Sequence, residues 1–292
     1  MKCCKQERTV PVSADTIARK YAEALHGASH GIVAGTGGAR FATYVPREGA
    51  AVSPEMLESS FGCGDPVAFS EIREGQTVLD LGSGAGLDLL LAASKVGPGG
   101  KVIGVDLSAD MIERARMNAQ AAGYANIELR RGVIEELPVE SNSIDWVISN
   151  CVINLSADKE RVFQEIARVL RPGGQVLVSD IVAENLPFWV RRSGLLTVAC
   201  VAGAIPESDY LVGMRAAGLQ DATIRSRMHY TPSQMAAVVL DSLPGWTRWF
   251  NWCLRPLIGS LAKPIAGRLW SVRVSARCDL RAHSNAANPR PV

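Results

Sequence analysis

The 292-residue chain has no Cys-x-x-Cys pair and no Cys/His cluster at zinc spacing, so it does not read as a structural zinc protein. No apolar run approaches the length of a membrane span. The formal net charge is only +2, which argues against a general electrostatic role on nucleic acid or a membrane surface. The N-terminal MKCCKQERTV carries no apolar signal region, and the expectation is a cytoplasmic protein. In that compartment the seven cysteines, at 3, 4, 63, 151, 200, 253 and 278, are expected as inert core residues or reactive thiols, not as a disulfide framework. There is no internal repeat, and no G-x-G-x-x-G dinucleotide fingerprint.

What the chain has instead lies between Thr77 and Asp106. Thr77-Val78-Leu79 opens a short apolar run expected as a buried strand. Asp80 to Gly86 is expected as a glycine-rich turn, Leu87 to Val96 as a buried helix, and Lys101 to Val105 as a second strand ending at Asp106. In such a unit the glycines admit a ligand close to the backbone, and the following helix presents free N–H groups. An acid ending the second strand accepts from both hydroxyls of a ribose. Asp80 would repel a pyrophosphate yet suit a ligand bearing an ammonium group. The order D-x-G-x-G-x-G with a later acid resembles the first two motifs of class I S-adenosylmethionine-dependent methyltransferases.

Further strand and helix units follow at the same pace. Ser108 is expected to cap a helix running to Ala122 and stopped by Gly123. Asn126–Arg130, Ser143–Ser149 and Gln175–Ile181 are expected strands. The intervening helix is expected to start at a Ser156 cap, to bury Val162, Phe163, Ile166, Val169 and Leu170, and to end at Arg171-Pro172-Gly173-Gly174. Glu207–Ala217 reads as a helix, and 222–228 and 269–276 as strands that complete the sheet. The expected fold class is α/β: a doubly wound, mostly parallel Rossmann-like sheet with an N-terminal arm and a C-terminal α/β attachment. The expected divisions are a helix and arm at 1–60, the cofactor core at 61–182, a site cover and sheet-completing region at 183–278, and a disordered tail at 279–292. The first includes a helix over 13–26. A stripe of Trp246, Trp249, Phe250, Leu254, Leu257, Ile258 and Leu261 reads as a helix folded onto the domain, with a membrane-surface helix as the competing reading.

Methylation of an oxygen or amine usually needs a base. None of the four histidines (26, 30, 229 and 283) stands near the segment after the fourth strand, and that segment is not the N/D/S-P-P-aromatic type. It is Asn150-Cys151, beyond the carboxyl end of a strand where a ligand is expected. Cys63 between two glycines reads on its own as a small residue in a packed turn or as a presented thiol. In the methyltransferases that the chain resembles such a segment provides the adenine pocket, which implies that role for Gly132 to Pro138, with Val133 and Ile134 around the base and Glu135 either its acceptor or a solvated acid.

Four segments together resemble the arsenite methyltransferases: Phe61-Gly62-Cys63-Gly64-Asp65-Pro66, Val78 to Gly86, Ile148 to Leu155 with Ser156 to Lys159 after it, and Cys200 to Ala204. The resemblance covers about Gly62 to Gly218 and is most specific in Ile-Ser-Asn-Cys-Val-Ile-Asn-Leu. It implies that Cys63, Cys151 and Cys200 hold trivalent arsenic as thiolates. It further implies S-adenosylmethionine as cofactor, with Asp80, Gly82, Ser83, Gly84 and Gly86 at its amino-acid end and Asp106 with Leu107 at the ribose. Val133, Ile134 and Glu135 fall at the adenine and Asn150 at the reacting end. The implied partners are a small trivalent arsenical and a thiol reductant such as glutathione or thioredoxin, with neither nucleic acid nor a stable membrane association. The cysteine that the family carries in the arm before the Gly-Cys-Gly segment is absent from His30–Gly38. Two other functions fit the sequence: carbon methylation of a quinone or lipid-like molecule, and arsenic binding without turnover.

Overall fold

Among the described residues, short apolar runs separated by glycine-rich breaks become the strands of one seven-stranded sheet, ordered Ile127–Arg131 (β3), Lys101–Asp106 (β2), Thr77–Leu81 (β1), Ile144–Asn150 (β4), Leu170–Ala183 (β5), Leu269–Cys278 (β7) and Leu219–His229 (β6). A computed structural model describes residues 16, 19, 64–192, 200–231 and 267–279. Thr16 and Arg19 are helical. The rest of the expected 13–26 helix and arm, Cys63, the tryptophan stripe and the tail beyond 279 lie outside the described residues.

The helix α1 (Pro66–Phe69) precedes β1 (Thr77–Leu81), α2 (Leu87–Val96), β2 (Lys101–Asp106), α3 (Ala109–Ala121) and β3 (Ile127–Arg131). Then come β4 (Ile144–Asn150), a 3-10 turn (Ile153–Leu155), α4 (Lys159–Val169), β5 (Leu170–Ala183) and α5 (Phe188–Arg191). The described chain ends with α6 (Glu207–Ala216), β6 (Leu219–His229) and β7 (Leu269–Cys278). The strands β1 to β5 are parallel, whereas β7 runs antiparallel between β5 and β6. The expected C-terminal strand therefore joins the sheet from inside and leaves β6 as its edge.

Central strands covered on both faces must be apolar throughout. Val78, Leu79, Leu81, Ile144, Val147 and Ile148 are all fully buried. Each such side chain contributes about 1.5–3 kcal/mol relative to exposure. The α4 side chains Val162, Phe163, Ile166 and Val169 share one core with Leu79, Leu81, Ile144 and Val147, while Val78 and Ile148 belong to a second.

Three local expectations are corrected. Asp80 and Leu81 belong to β1 and not to the turn, since they pair with Gly104 and Val105 on one side and Ile148 and Ser149 on the other. The α4 cap is Asp158, whose Oδ1 accepts from the Arg161 amide at 3.0 Å, and the Ser156 hydroxyl turns instead to Glu135. The Arg171–Gly174 stretch lies inside β5, because Leu170 has already left the helix with φ −65° and ψ 134°. Pro172 is tolerated there next to a register shift between Ile144 and Trp146.

The chain reverses its direction across the sheet between β1 and β4, and this opens a crevice beyond their carboxyl ends. Leu81 pairs with Ser149, so Gly82 leaves the sheet beside Asn150, the last residue of β4. No described helix is long and apolar enough to cross a membrane.

Candidate cofactor and thiol site

On one side of the crevice the glycine loop is sewn to β2. The Gly82 and Ser83 amides donate to the Val105 carbonyl at 2.8 and 3.1 Å. Asp106 Oδ2 accepts from the Gly84 amide and Oδ1 from the Ser108 amide, each at 2.9 Å. A carboxylate has lone pairs beyond these two bonds, which a ribose can use. Gly82 has φ +65°, and a Cβ there would meet Val152 Cγ2 at 2.5 Å. Only glycine lets this loop lie against the segment after β4.

The electrostatics of this loop call for a cation. Asp80 is buried beneath it, and its carboxyl is held well above the usual carboxylate range by burial, then by the charges of Asp88 and Asp106. Burial also raises Asp106, against hydrogen bonds from the Ser108, Gly84 and Leu107 amides. The repulsion of Asp80 by Asp88 and Asp106 is eased by a positive ligand. The buried Ser83 hydroxyl has no partner among the described residues. These groups fit S-adenosylmethionine, which carries an ammonium, a sulfonium and two ribose hydroxyls.

The stretch after β3 is fixed from α4. Glu165 Oε2 accepts from the Leu137 amide at 2.8 Å, and Arg168 pairs with that carboxylate. Together they hold the Glu165 carboxyl below its usual range, Arg168 being the larger cause. Val133 bridges to Glu136, and Ile134 is buried in the main core. The Glu135 carboxylate accepts from Ser156, and its carbonyl accepts from Arg161 Nε at 3.1 Å.

Opposite the glycine loop, Cys151 and Cys200 meet. Cys200 Sγ donates to the Cys151 carbonyl at 2.7 Å, and both residues are buried. Both also occupy left-handed backbone, with φ 60° and 59°. The other described non-glycine residues with positive φ are Asn142, Asn185 and Asp221, types that tolerate it. A cysteine there costs on the order of 1–3 kcal/mol and persists only where the surroundings enforce it.

Those surroundings are visible. The Cys151 amide donates to Ser179 O at 2.9 Å. Asn154 Nδ2 donates to Asp180 Oδ1 at 2.7 Å and to Ile181 O at 2.6 Å. Gly203 lies so close to Asn154 that a Cβ would stand 2.0 Å from its carbonyl oxygen. The glycine of the Cys-x-x-Gly-Ala segment is thus what lets Cys200 reach Cys151. Asp180 is fully buried, and desolvation pushes its carboxyl up to about 7 despite those bonds and the nearby Lys159. Burial lowers Lys159, opposed by Asp180, Cys200 and Glu135 in that order.

Cys151 is disulfide-bonded, whereas Cys200 and Cys278 form no disulfide. Cys278, the last residue of β7, is buried in the main core, in a different cluster from Cys151 and Cys200. Cys63 is not described, but its neighbour Gly64 pairs with the Asn150 side chain, donating to Oδ1 at 3.2 Å and accepting from Nδ2 at 2.7 Å. Sequence patterns alone passed over Asp88, Lys159, Asp180 and the bonding role of Asn154. Asp180 did carry a signal, as a lone acid in the apolar run Val176 to Ala183.

Residues 72–232 match the family model described as a methyltransferase domain. An arsenite methyltransferase of Halobacterium salinarum is 48% identical over 161 residues, covering 54% of this chain and 41% of that protein. One from Aquipseudomonas alcaligenes is 38% identical over 167 residues, covering 54% and 48%. The chain thus matches less than half the length of these curated relatives. The crystal structure of an arsenic(III) S-adenosylmethionine methyltransferase from Chlamydomonas reinhardtii superposes with a TM-score of 0.60 at 32% identity, covering 79% of this chain and 71% of that one.

Proposed function

The chain belongs to the methyltransferase-domain family and, within it, to the arsenite methyltransferases, and on that premise we propose that it methylates trivalent arsenic held by the thiolates of Cys63, Cys151 and Cys200. The observation that carries this reading is the meeting of Cys200 Sγ with the Cys151 carbonyl at 2.7 Å, both cysteines in left-handed backbone at the carboxyl end of β4. Such geometry serves a soft ligand better than it serves packing.

S-adenosylmethionine, when bound, supplies an electrophilic methyl carbon on a sulfonium. Asp80, Asp88 and Asp106 surround the loop with the negative charge that suits such a cation, and Asp106 offers acceptors to the ribose. Val133, Ile134 and Glu135 bound the adenine. Thiolates keep trivalent arsenic pyramidal, and its lone pair is the nucleophile. No proton need be removed from arsenic, which agrees with the lack of a histidine in the segment after β4. Positioning then supplies most of the acceleration. The Cys151 disulfide must open first, since the thiolate is the competent ligand. A thiol reductant is therefore part of the reaction, and detoxification of arsenic is the role that follows.

The test is to incubate the protein with arsenite, S-adenosylmethionine and a thiol reductant and to identify products by mass spectrometry. Methylated arsenic formed together with S-adenosylhomocysteine is the expected result. Arsenic bound without a methylated product would make the chain a binding protein. Failure to bind arsenic at all would return carbon methylation to the front.

A further inference from the structure

The two sides of the crevice are joined by one side chain. Asn150, the last residue of β4, has an amide with two donor hydrogens and one acceptor oxygen. Its Nδ2 donates to Gly64 O at 2.7 Å and to Asp88 Oδ2 at 3.1 Å, and its Oδ1 accepts from the Gly64 amide at 3.2 Å. Both donor hydrogens are thereby committed. The amide orientation follows from the network: flipped, its oxygen would face the Asp88 carboxylate and its hydrogens the Gly64 N–H.

Each partner sits at a telling place. Gly64 directly follows Cys63 and lies so close to β5 that a Cβ would meet Ser179 Oγ at 2.7 Å. Asp88 is the second residue of α2, directly after the glycine loop, and is buried. It belongs to the acid group that a cationic cofactor would relieve. Asn150 also pairs with Ser179 in the sheet and precedes Cys151. A change at the acids thus has a hydrogen-bonded route to Gly64 and to the strand end that precedes Cys151.

We propose that Asn150 is a positioning residue that couples the cofactor loop, through Asp88, to the Gly64 backbone that carries Cys63, so that a cationic cofactor tightens arsenical binding. This departs from the sequence-based assignment of Asn150 to the cofactor's reacting end. It rests on the arsenic reading, and the experiment separates the two. Couplings between sites commonly amount to about 5- to 150-fold in affinity.

Arsenite affinity is measured by calorimetry on the full chain, kept reduced with a phosphine that offers arsenic no thiol. Titrations are run without cofactor and with saturating sinefungin, an inert analogue bearing an ammonium where the sulfonium stands. The parental protein should bind arsenite at least about fivefold more tightly with sinefungin. Asn150→Ala and Asp88→Ala should bring that ratio to about one. Asp88→Asn, which keeps an acceptor for Nδ2, should retain part of it. A purely structural role would weaken both titrations equally and leave the ratio in place, which would overturn the proposal. A parental ratio of one would overturn it too while leaving the arsenic reading intact. Absence of arsenite binding in the parental protein would remove both. Should Asn150→Ala fail to fold, judged by circular dichroism, the two Asp88 variants decide alone.

Discussion

At the cofactor edge the glycine loop and its acids come from one continuous strand, loop, helix and strand, Asp80 to Ser108, and their bonds span 2 to 23 positions. At the thiol edge the groups come from stretches around residues 64, 150, 180 and 200, and their bonds span 26 to 86 positions. The first edge uses glycine to expose backbone to a ligand. The second uses glycine to let loops touch, as at Gly203 against Asn154 and Gly64 against Ser179. One edge is local and repeats across many methyl-transfer chemistries. The other is assembled only by the fold.

If the edges are separable in this way, damage at the thiols should spare the cofactor. Cys151→Ser and Cys200→Ser should each abolish methylation of arsenite and of a monomethyl arsenical, with cofactor affinity kept. Cys63→Ser should harm arsenite most and spare more of the monomethyl substrate, which needs fewer thiols. Cys253→Ser and Cys278→Ser should leave turnover close to parental. Assays of each purified variant with both arsenicals, alongside cofactor calorimetry, check the set. Parental turnover of arsenite by Cys151→Ser would end the arsenic mechanism.

Gly203→Ala asks whether loop contact, rather than the thiols alone, builds the second edge. The added Cβ forces a backbone shift that should cost about 1–3 kcal/mol of stability. Arsenite turnover should fall at least about tenfold, as expected for a misplacement of an ångström or less. Cofactor affinity should not change, and a parallel loss of it would show that the edges are not separable.

Asp106→Ala is the converse. Leaving ribose hydroxyls and the Gly84 amide without their acceptor should cost about 1–3 kcal/mol of cofactor binding. Arsenite affinity measured without cofactor should hold. Unchanged cofactor affinity in a folded variant would remove Asp106 from the site.

These contrasts also explain what could be read from residues alone. The boundaries of α2 and the order strand, glycine loop, helix, strand, acid are set by neighbours within a few positions. Cys151 could be singled out by its place after the fourth strand, but its grouping with Cys63 and Cys200 came only from resemblance, since no spacing links 151 to 200. Asp88 escaped notice because an acid in a first helical turn is ordinary. Its meaning appears once Asn150 is seen against it. Ser156 was misjudged as a cap because its hydroxyl had a distant competitor in Glu135, which local pattern does not reveal.

A smaller effect concerns Asp180 beneath the thiol edge. Its carboxyl, pushed up to about 7 by burial, binds a proton in the folded state over a range where the unfolded chain, at about 3.9, has released it. The stabilisation is fully present below about pH 4 and is lost as pH rises through about 7. Urea unfolding of the reduced protein at pH 5 and pH 8 should show this fall, and Asp180→Asn should flatten it. A slope unaltered by Asp180→Asn would place the titration elsewhere.

The convergence of three thiols on one arsenic atom is tested most directly by X-ray absorption at the arsenic edge, on reduced protein loaded with one equivalent of arsenite. Three sulfur neighbours are expected in the parental protein and two in Cys200→Ser. An oxygen-only shell, or a sulfur count that Cys200→Ser leaves unchanged, would contradict it.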